Sequence, residues 1–242
     1  PRPAQGVLDA RYQHMSDIVF NLNGQRSRVR VFEHVIGYLM RRHPAPGRIL
    51  DVGCFTGTLL EVAAGRGWEP WGVEINKVAS GYARDQLGYR VHTGLLHDAA
   101  LPGDHFDAVA ATDTIEHLID PLGSLREIHR VLKPGGHVVL TVPNARMQVP
   151  KENLKKRLGR GRGLVIGGLA HINHFTPQSI RRILRGVGFD GIEIHCSIPE
   201  GQQTAKVDRA KRAYVAAAEA LRRATGLNIG HELLVIGEKA AR

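Results

Sequence analysis

ILDVGCFTG, residues 49–57, reads as a short buried strand that carries an acid, Asp51, and runs through a glycine-bearing turn into a helix. In an open parallel sheet the ligand crevice lies just beyond the carboxyl ends of the strands. Asp51, Gly53 and Gly57 fall in that crevice, and the glycines let backbone approach a ligand closely. The next strand candidate, Glu69–Ile75, also carries an acid near its end, Glu74, placed for a two-oxygen grip on a ribose diol. The competing reading is a dinucleotide-binding turn of the G-x-G-x-x-G type. Such a turn wants a helix N-terminus open to a pyrophosphate and no acid inside it. Here Asp51 precedes the first glycine, and Phe55 takes the place of the middle one. A carboxylate at that point disfavours a pyrophosphate and favours a cationic ligand bearing an amino group.

Outward from this turn, short apolar runs alternate with helical stretches. Strand candidates are Arg48–Cys54, Glu69–Ile75, Arg90–Thr93, Phe106–Ala111, Gly136–Val142, Gly191–Ser197 and His231–Gly237. Helix candidates lie at Thr58–Arg66, Lys77–Leu87 and Pro121–Leu132. Another, Pro177–Val187, opens on Thr176 as N-cap with a proline at the first helical position. This alternation predicts an α/β protein: a Rossmann-like, doubly wound, mostly parallel sheet covered by helices on both faces. Upstream, Val29, Phe32, Val35, Ile36, Leu39 and Met40 recur at helical spacing, predicting an amphipathic helix from about Gln25 to His43 that Pro44 and Pro46 end. Residues 1–24 read as a partly ordered lead-in. The expected organisation is therefore a lead-in and helix over 1–44 and one domain over 45–242. Two helical insertions interrupt that domain. The first, about 145–170, holds KENLKKRLGRGR (151–162) and a Gly-rich apolar stretch. The second, about 204–225, has Val207, Ala210, Tyr214, Ala217 and Leu221 as a stripe flanked by Arg209, Lys211, Arg212, Arg222 and Arg223.

Six motifs now stand in order along the chain. DVGCFTG (51–57) matches D-x-G-x-G-x-G except at Phe55, and GVEIN (72–76) matches a second strand with its acid. HTGLLHDAALPGDHFDAV (92–109), TDTIEHLIDP (112–121), IHRVLKPGGHVVLTVPN (128–144) and HINHFTPQSIRRILRGVGF (171–189) follow. Over roughly Arg48–Gly237 the chain resembles the class I S-adenosylmethionine-dependent methyltransferases, in their small-molecule branch of ubiquinone-biosynthesis and sugar O-methyltransferases. The resemblance implies a seven-stranded sheet with an antiparallel last strand, and S-adenosylmethionine as cofactor. It implies that Asp51 and the Gly53–Gly57 turn, with Cys54 and Phe55 inside it, hold the methionyl part. It further implies Glu74 on the ribose hydroxyls, Ile75 against the adenine, Leu95 and Leu96 also on the adenine, and Asp113 at the edge of the cofactor. Many relatives carry an acid after the glycine corresponding to Gly94. This chain has Leu95 there, so the usual contact to the adenine amine lacks its carboxylate; Asp98 is either a substitute or a solvated loop acid.

Methyl transfer from a sulfonium is an in-line displacement, so alignment is the first requirement. An oxygen acceptor must also lose a proton, which calls for a histidine, a carboxylate or a metal. Asp113, Glu116 and His117 stand at i, i+3 and i+4 and share a face if a helical turn begins there. Two carboxylates and an imidazole suit an octahedral Mg²⁺ with positions left open, and the ubiquinone-biosynthesis O-methyltransferases show a similar acid-x-x-E-H run with a metal. In relatives without metal, the Glu orients local backbone and the His lines the methyl-transfer pocket. The second constellation is HINHF (171–175), where His171 and His174 are base or ligand, or else imidazoles of a loop packed on the core. His117, His171, His174 and Asp113 are the candidate catalytic residues, and Asp113, Glu116 and His117 the candidate metal ligands.

Composition narrows the setting. Two cysteines cannot build a disulfide framework, no apolar run reaches the ~18–20 residues of a membrane span, and no signal-peptide core is visible, so a cytoplasmic protein is expected. The 33 Lys+Arg against 23 Asp+Glu give a net +10. Residues 1–144 carry 15 basic and 15 acidic side chains, whereas 145–242 carry 18 and 8, so the excess sits in the C-terminal part. Clustered cations suit phosphates, but no nucleic-acid module accompanies them and aromatics for base stacking are few, so nucleic acid is not the expected partner. A basic lid over a small acidic or lipid-linked acceptor, with peripheral contact to anionic membrane, is the expectation instead. The expected function is methyl transfer to an oxygen of a glycan precursor, quinone or secondary metabolite. The alternatives are an RNA methyltransferase and a non-catalytic cofactor-binding protein of the same fold.

Overall fold

The computed structural model describes residues 27–43, 45–159, 171–198 and 205–241. The lead-in expected at 1–24, residues 160–162 of the basic run with the glycine-rich stretch after it, and Thr204 lie outside the described residues. In chain order the elements are α1 Val29–Arg42, β1 Arg48–Val52, α2 Thr58–Ala64, β2 Glu69–Glu74, α3 Lys77–Gly81, β3 Arg90–Thr93, β4 Phe106–Thr112, α4 Pro121–Val131, β5 Leu132–Pro143, α5 Ala145–Arg157, α6 Pro177–Val187, β6 Phe189–Cys196, α7 Ala205–Thr225 and β7 Glu232–Lys239. One seven-stranded sheet runs in the order β3-β2-β1-β4-β5-β7-β6. The first five strands pair in parallel, and β7 lies antiparallel between β5 and β6. The expected Rossmann-like sheet with an antiparallel last strand is therefore the one observed.

Strand periodicity decides which residues face which helices. Leu50, Val109, Ala111, Val138, Leu140, Leu233 and Val235 face one layer, with Leu125 and Ile128 of α4 and Ile180 and Leu184 of α6. Their neighbours Ile49, Ala108, Ala110, Val139, Leu234 and Ile236 face the other, with Phe32, Val35, Ile36 and Leu39 of α1 and Leu59 and Ala63 of α2. The α6 start is the expected one: Ser179 N–H donates to Thr176 Oγ1 at 3.1 Å and Thr176 N–H donates to Ser179 Oγ at 2.8 Å, a reciprocal cap.

Several boundaries differ from expectation for local reasons. The strand expected to begin at Gly136 begins at Leu132, which pairs with Phe106; Lys133–Gly136 then bulges, with Gly135 at φ 76°, and pairing resumes at His137 opposite Ala108. The helix expected over Lys77–Leu87 keeps α geometry only to Gly81 and continues as a π-turn over Tyr82–Gln86. That turn carries Ala83 into a cluster with Cys54, Leu60 and Val91. In α7 the expected stripe is rotated. Ala210 and Ala217 are exposed, and Ala218 is the fully buried residue. Tyr214 hydroxyl donates to the Ile229 carbonyl, and Glu219 accepts from Cys196 N–H at 3.2 Å. Helix α7 therefore packs on β6, and its Arg222 is committed to Glu219 at 2.7 Å.

Candidate functional site

The crevice is built by three backbone inversions at alternate residues after β1. Gly53, Phe55 and Gly57 lie at φ 80°, 46° and 86°. A side chain at Gly53 would place its Cβ 2.6 Å from Thr114 Oγ1, and one at Gly72 would place it 2.6 Å from Cys54 Sγ. Both glycines are thus required by close approach as well as by conformation or packing. Gly53 N–H and Cys54 N–H both donate to the Val73 carbonyl, at 2.8 and 3.2 Å, which locks the turn onto β2. Phe55, the departure from the all-glycine turn, sits in left-handed backbone that costs a non-glycine residue ~1–2 kcal/mol. Its N–H donates to Glu74 Oε2 at 2.9 Å, and Asn76 N–H donates to Glu74 Oε1 at 2.7 Å. Asn76 in turn caps α3, accepting from Val78 and Ala79 N–H at 3.0 and 2.9 Å.

Two acids thus stand side by side at the crevice with little water around them. Asp51 is 2% exposed and its Oδ1 has no hydrogen-bond partner among the described residues. Burial pushes its carboxyl up to about 7; Arg28 pulls it down in part, and Glu74 pushes it up further. Burial raises Glu74 as well, against the backbone donors that lower it. A cation entering here relieves a desolvated carboxylate pair. Ile75 is half-buried beside Glu74. Leu95 is half-buried, but Leu96 turns its side chain into the core, and Asp98 is exposed. Cys54 packs inward, with burial raising its thiol well above the ordinary value, so its contribution to the turn is packing and backbone.

The candidate catalytic residues rearrange more. Ile115–His117 forms a single 3₁₀ turn, so the i, i+3, i+4 face expected for Asp113, Glu116 and His117 does not form. Asp113, at φ 51°, is instead bonded to Arg28 through Oδ2 and accepts from Thr141 Oγ1 through Oδ1 at 2.9 Å. His171 takes the third place: one ligand atom each from Glu116, His117 and His171 lies within 4.8 Å of the others. The two imidazole rings meet edge to face at 4.7 Å, and His117 Nε2 lies 3.8 Å from Glu116 Oε1. Neither Glu116 oxygen has a hydrogen-bond partner among the described residues, and burial, then the charge of Asp113, push its carboxyl up to about 8. Burial, then His117, lower the basicity of His171. His174 is exposed and outside this cluster.

Sequence reading missed the residues that hold the cluster together. Ile172 and Asn173 N–H both donate to the Glu116 carbonyl, at 3.0 and 2.9 Å, and Asn173 Nδ2 donates to Leu118 O at 2.6 Å. Those bonds pin HINHF onto the 3₁₀ turn. Asn144, fully buried at the end of β5, donates to Gly230 O at 2.8 Å and fixes the opposite side of the crevice. Arg28 was hidden in a run of basic residues, and no spacing signals a contact spanning 85 residues.

An orphaned buried acid, a bare inverted backbone turn and a second acid at the end of β2 fit a cationic amino-acid nucleoside. Together with the strand order, they define the class I S-adenosylmethionine-dependent methyltransferase architecture. The chain belongs to the methyltransferase domain family, whose match covers residues 24–194. Among curated proteins, it is 38% identical over 120 residues to the ubiquinone biosynthesis O-methyltransferase of Alkalilimnicola ehrlichii, covering 46% of this chain and 47% of that one. It is 34% identical over 154 residues to the enzyme of the same name from Aeromonas salmonicida, covering 58% and 62%. The chain thus spans about half to three fifths of the length of these relatives. A solved S-adenosylmethionine-dependent methyltransferase from Archaeoglobus fulgidus superposes with a TM-score of 0.57 at 21% identity, over 86% of this chain and 94% of that one. Among the described residues, no helix is long and apolar enough to cross a membrane.

Proposed function

We propose that this protein transfers a methyl group from S-adenosylmethionine to an oxygen of a small acceptor. The observation that carries the reading is the His117–His171 pair beside Glu116, fixed to the turn that follows β4. In this reading Asp51 and the backbone of Gly53–Gly57 hold the methionyl ammonium, and Glu74 holds the ribose hydroxyls while still accepting from Phe55 and Asn76. Arg28 and Thr141 hold the Asp113 carboxylate. Bound there, S-adenosylmethionine supplies an activated methyl that leaves by in-line displacement. The chain's own tasks are to align the acceptor oxygen and to remove its proton. His171, its basicity lowered by burial, is neutral near pH 7 and takes that proton, with His117 edge to face against it. The relatives named as ubiquinone O-methyltransferases support oxygen as the acceptor atom.

A second reading rests on the bare Glu116 oxygens: Glu116, His117 and His171 hold a divalent ion. One carboxylate and two imidazoles suit a transition ion better than magnesium, which asks for oxygen donors. Turnover of a panel of phenols, catechols and glycans, before and after exhaustive chelation, separates the possibilities. Full activity after chelation supports the histidine base; loss restored by a transition ion and not by Mg²⁺ supports the ion. Cofactor binding without turnover of any acceptor, RNA included, refutes the enzyme reading, and turnover of RNA alone replaces the acceptor class. An acidic acceptor and peripheral contact with anionic membrane remain the partners we propose for the basic C-terminal part.

A further inference from the structure

At the far edge of the sheet from the cofactor turn, α6 and the end of α7 border an open groove of about 400 Å³. Pro177, Gln178, Arg181, Arg182, Arg185 and Gly226 line it. Arg181 is half-buried, with its Nη1 donating to the Ile192 carbonyl at 2.5 Å, so one guanidinium is held in place by β6. Arg182 and Arg185 are exposed. None of the three makes an ion pair among the described residues, whereas Arg28, Arg42, Arg130 and Arg222 each do. Burial and then the charge of Arg185 lower the basicity of Arg181. Like charges gathered in a concave surface cost free energy that an anion relieves.

We propose that this groove is a subsite for a phosphate or diphosphate group. Guanidinium forks match phosphate oxygens two at a time. The lining contains no aromatic side chain, so it offers nothing on which a nucleobase would stack. The groove is related to the reaction centre through the chain itself: Pro177 follows His171 by six residues, so that end of the groove lies within roughly 20 Å of His171, and Arg185 lies about 12 Å further along α6. An acceptor carrying a phosphoryl or diphosphoryl group on an extended arm spans that distance. This use of the groove rests on the methyltransferase reading, but its anion chemistry does not.

The test uses the full chain, titrated calorimetrically with inorganic pyrophosphate at low ionic strength and, separately, with S-adenosylhomocysteine. R182E/R185E is expected to weaken pyrophosphate at least tenfold while leaving the S-adenosylhomocysteine affinity unchanged. R182K/R185K, which keeps charge and loses the forks, is expected to fall between. If the double reversal also loses S-adenosylhomocysteine, R182E and R185E singly decide. Co-sedimentation with phosphatidylcholine vesicles, with and without phosphatidylglycerol, identifies the source of the phosphate. Arginine-dependent sedimentation only on the anionic vesicles assigns it to a lipid headgroup, and pyrophosphate binding without sedimentation assigns it to a soluble ligand. If wild type binds neither, or if the reversal variants match wild type, the proposal is overturned. The S-adenosylhomocysteine titration then reports on the methyltransferase reading independently.

Discussion

Asp51 allows a quantitative forecast. Its carboxyl is pushed up to about 7 by burial, so close to half is ionised at pH 7 and about 9% at pH 6. If the ionised form receives the cofactor's ammonium, the apparent affinity follows the ionised fraction. The Kd for S-adenosylhomocysteine is then expected to rise about fivefold from pH 7 to pH 6, with protons released on binding. Calorimetry in two buffers of different ionisation enthalpy measures both quantities. Asp51→Asn is expected to flatten the pH profile and to lose ~1.5–3 kcal/mol of cofactor affinity, the usual worth of a hydrogen bond to a charged group. The same substitution is expected to stabilise the cofactor-free protein. Between pH 3.8 and about 7 the folded carboxyl binds a proton that the unfolded one has lost, so stability falls as pH rises through that window. An uncharged Asn removes this cost, whose ceiling is ~4 kcal/mol above pH 7, and the cofactor-free Tm rises. A Kd for wild type that is flat between pH 5.5 and 7, or an Asn variant that keeps the wild-type profile, refutes the assignment.

Three further outcomes test the rest of the site. Glu74→Ala removes the acceptor shared by Phe55 and Asn76 N–H, so cofactor affinity is expected to drop at least tenfold in calorimetry. Gly53→Ala forces a Cβ within 2.6 Å of Thr114 Oγ1 at φ 80° and is expected to cost at least ~1–2 kcal/mol in denaturant unfolding. Adding Thr114→Ala recovers the steric part of that loss alone, and full recovery would show that the backbone carries no strain. His117→Ala and His171→Ala are expected to lower kcat by ~10²–10⁴ at saturating cofactor while leaving S-adenosylhomocysteine binding unchanged. Unchanged kcat in both variants moves the base elsewhere.

Much of this architecture was legible because it rests on local rules. The alternation of apolar runs, the Thr176–Pro177 helix start and the acids beside Gly53 and after Val73 are all encoded within a few residues. The boundaries that moved depend on pairing instead. Leu132 is a strand residue only because Phe106 lies beside it, and Ala218 is buried only because β6 lies under α7. The cluster at the reaction centre was half legible for the same reason. Glu116 and His117 are neighbours in sequence, but His171 reaches them through backbone bonds from Ile172 and Asn173, a contact that no periodicity announces. Asp113 looked like a ligand by spacing and is bonded to Arg28.

The position of β7 sets the order in which the molecule can be completed. Among the described residues β6 has no neighbour in the sheet except β7, and β7 follows the other six strands in chain order. Until residues 232–239 leave the ribosome, the outer edge of β5 stays open and β6 lacks its β7 partner. Pairing seven residues of β7 with β5 and six with β6 is therefore a closing step. The N-terminal five strands, with the cofactor turn, pair in parallel with one another and need no residue of β7 to do so. A ribosome-bound chain stalled before Glu232 presents an exposed β5 edge, the arrangement that chaperones recognise and that neighbouring chains on a polysome can pair with.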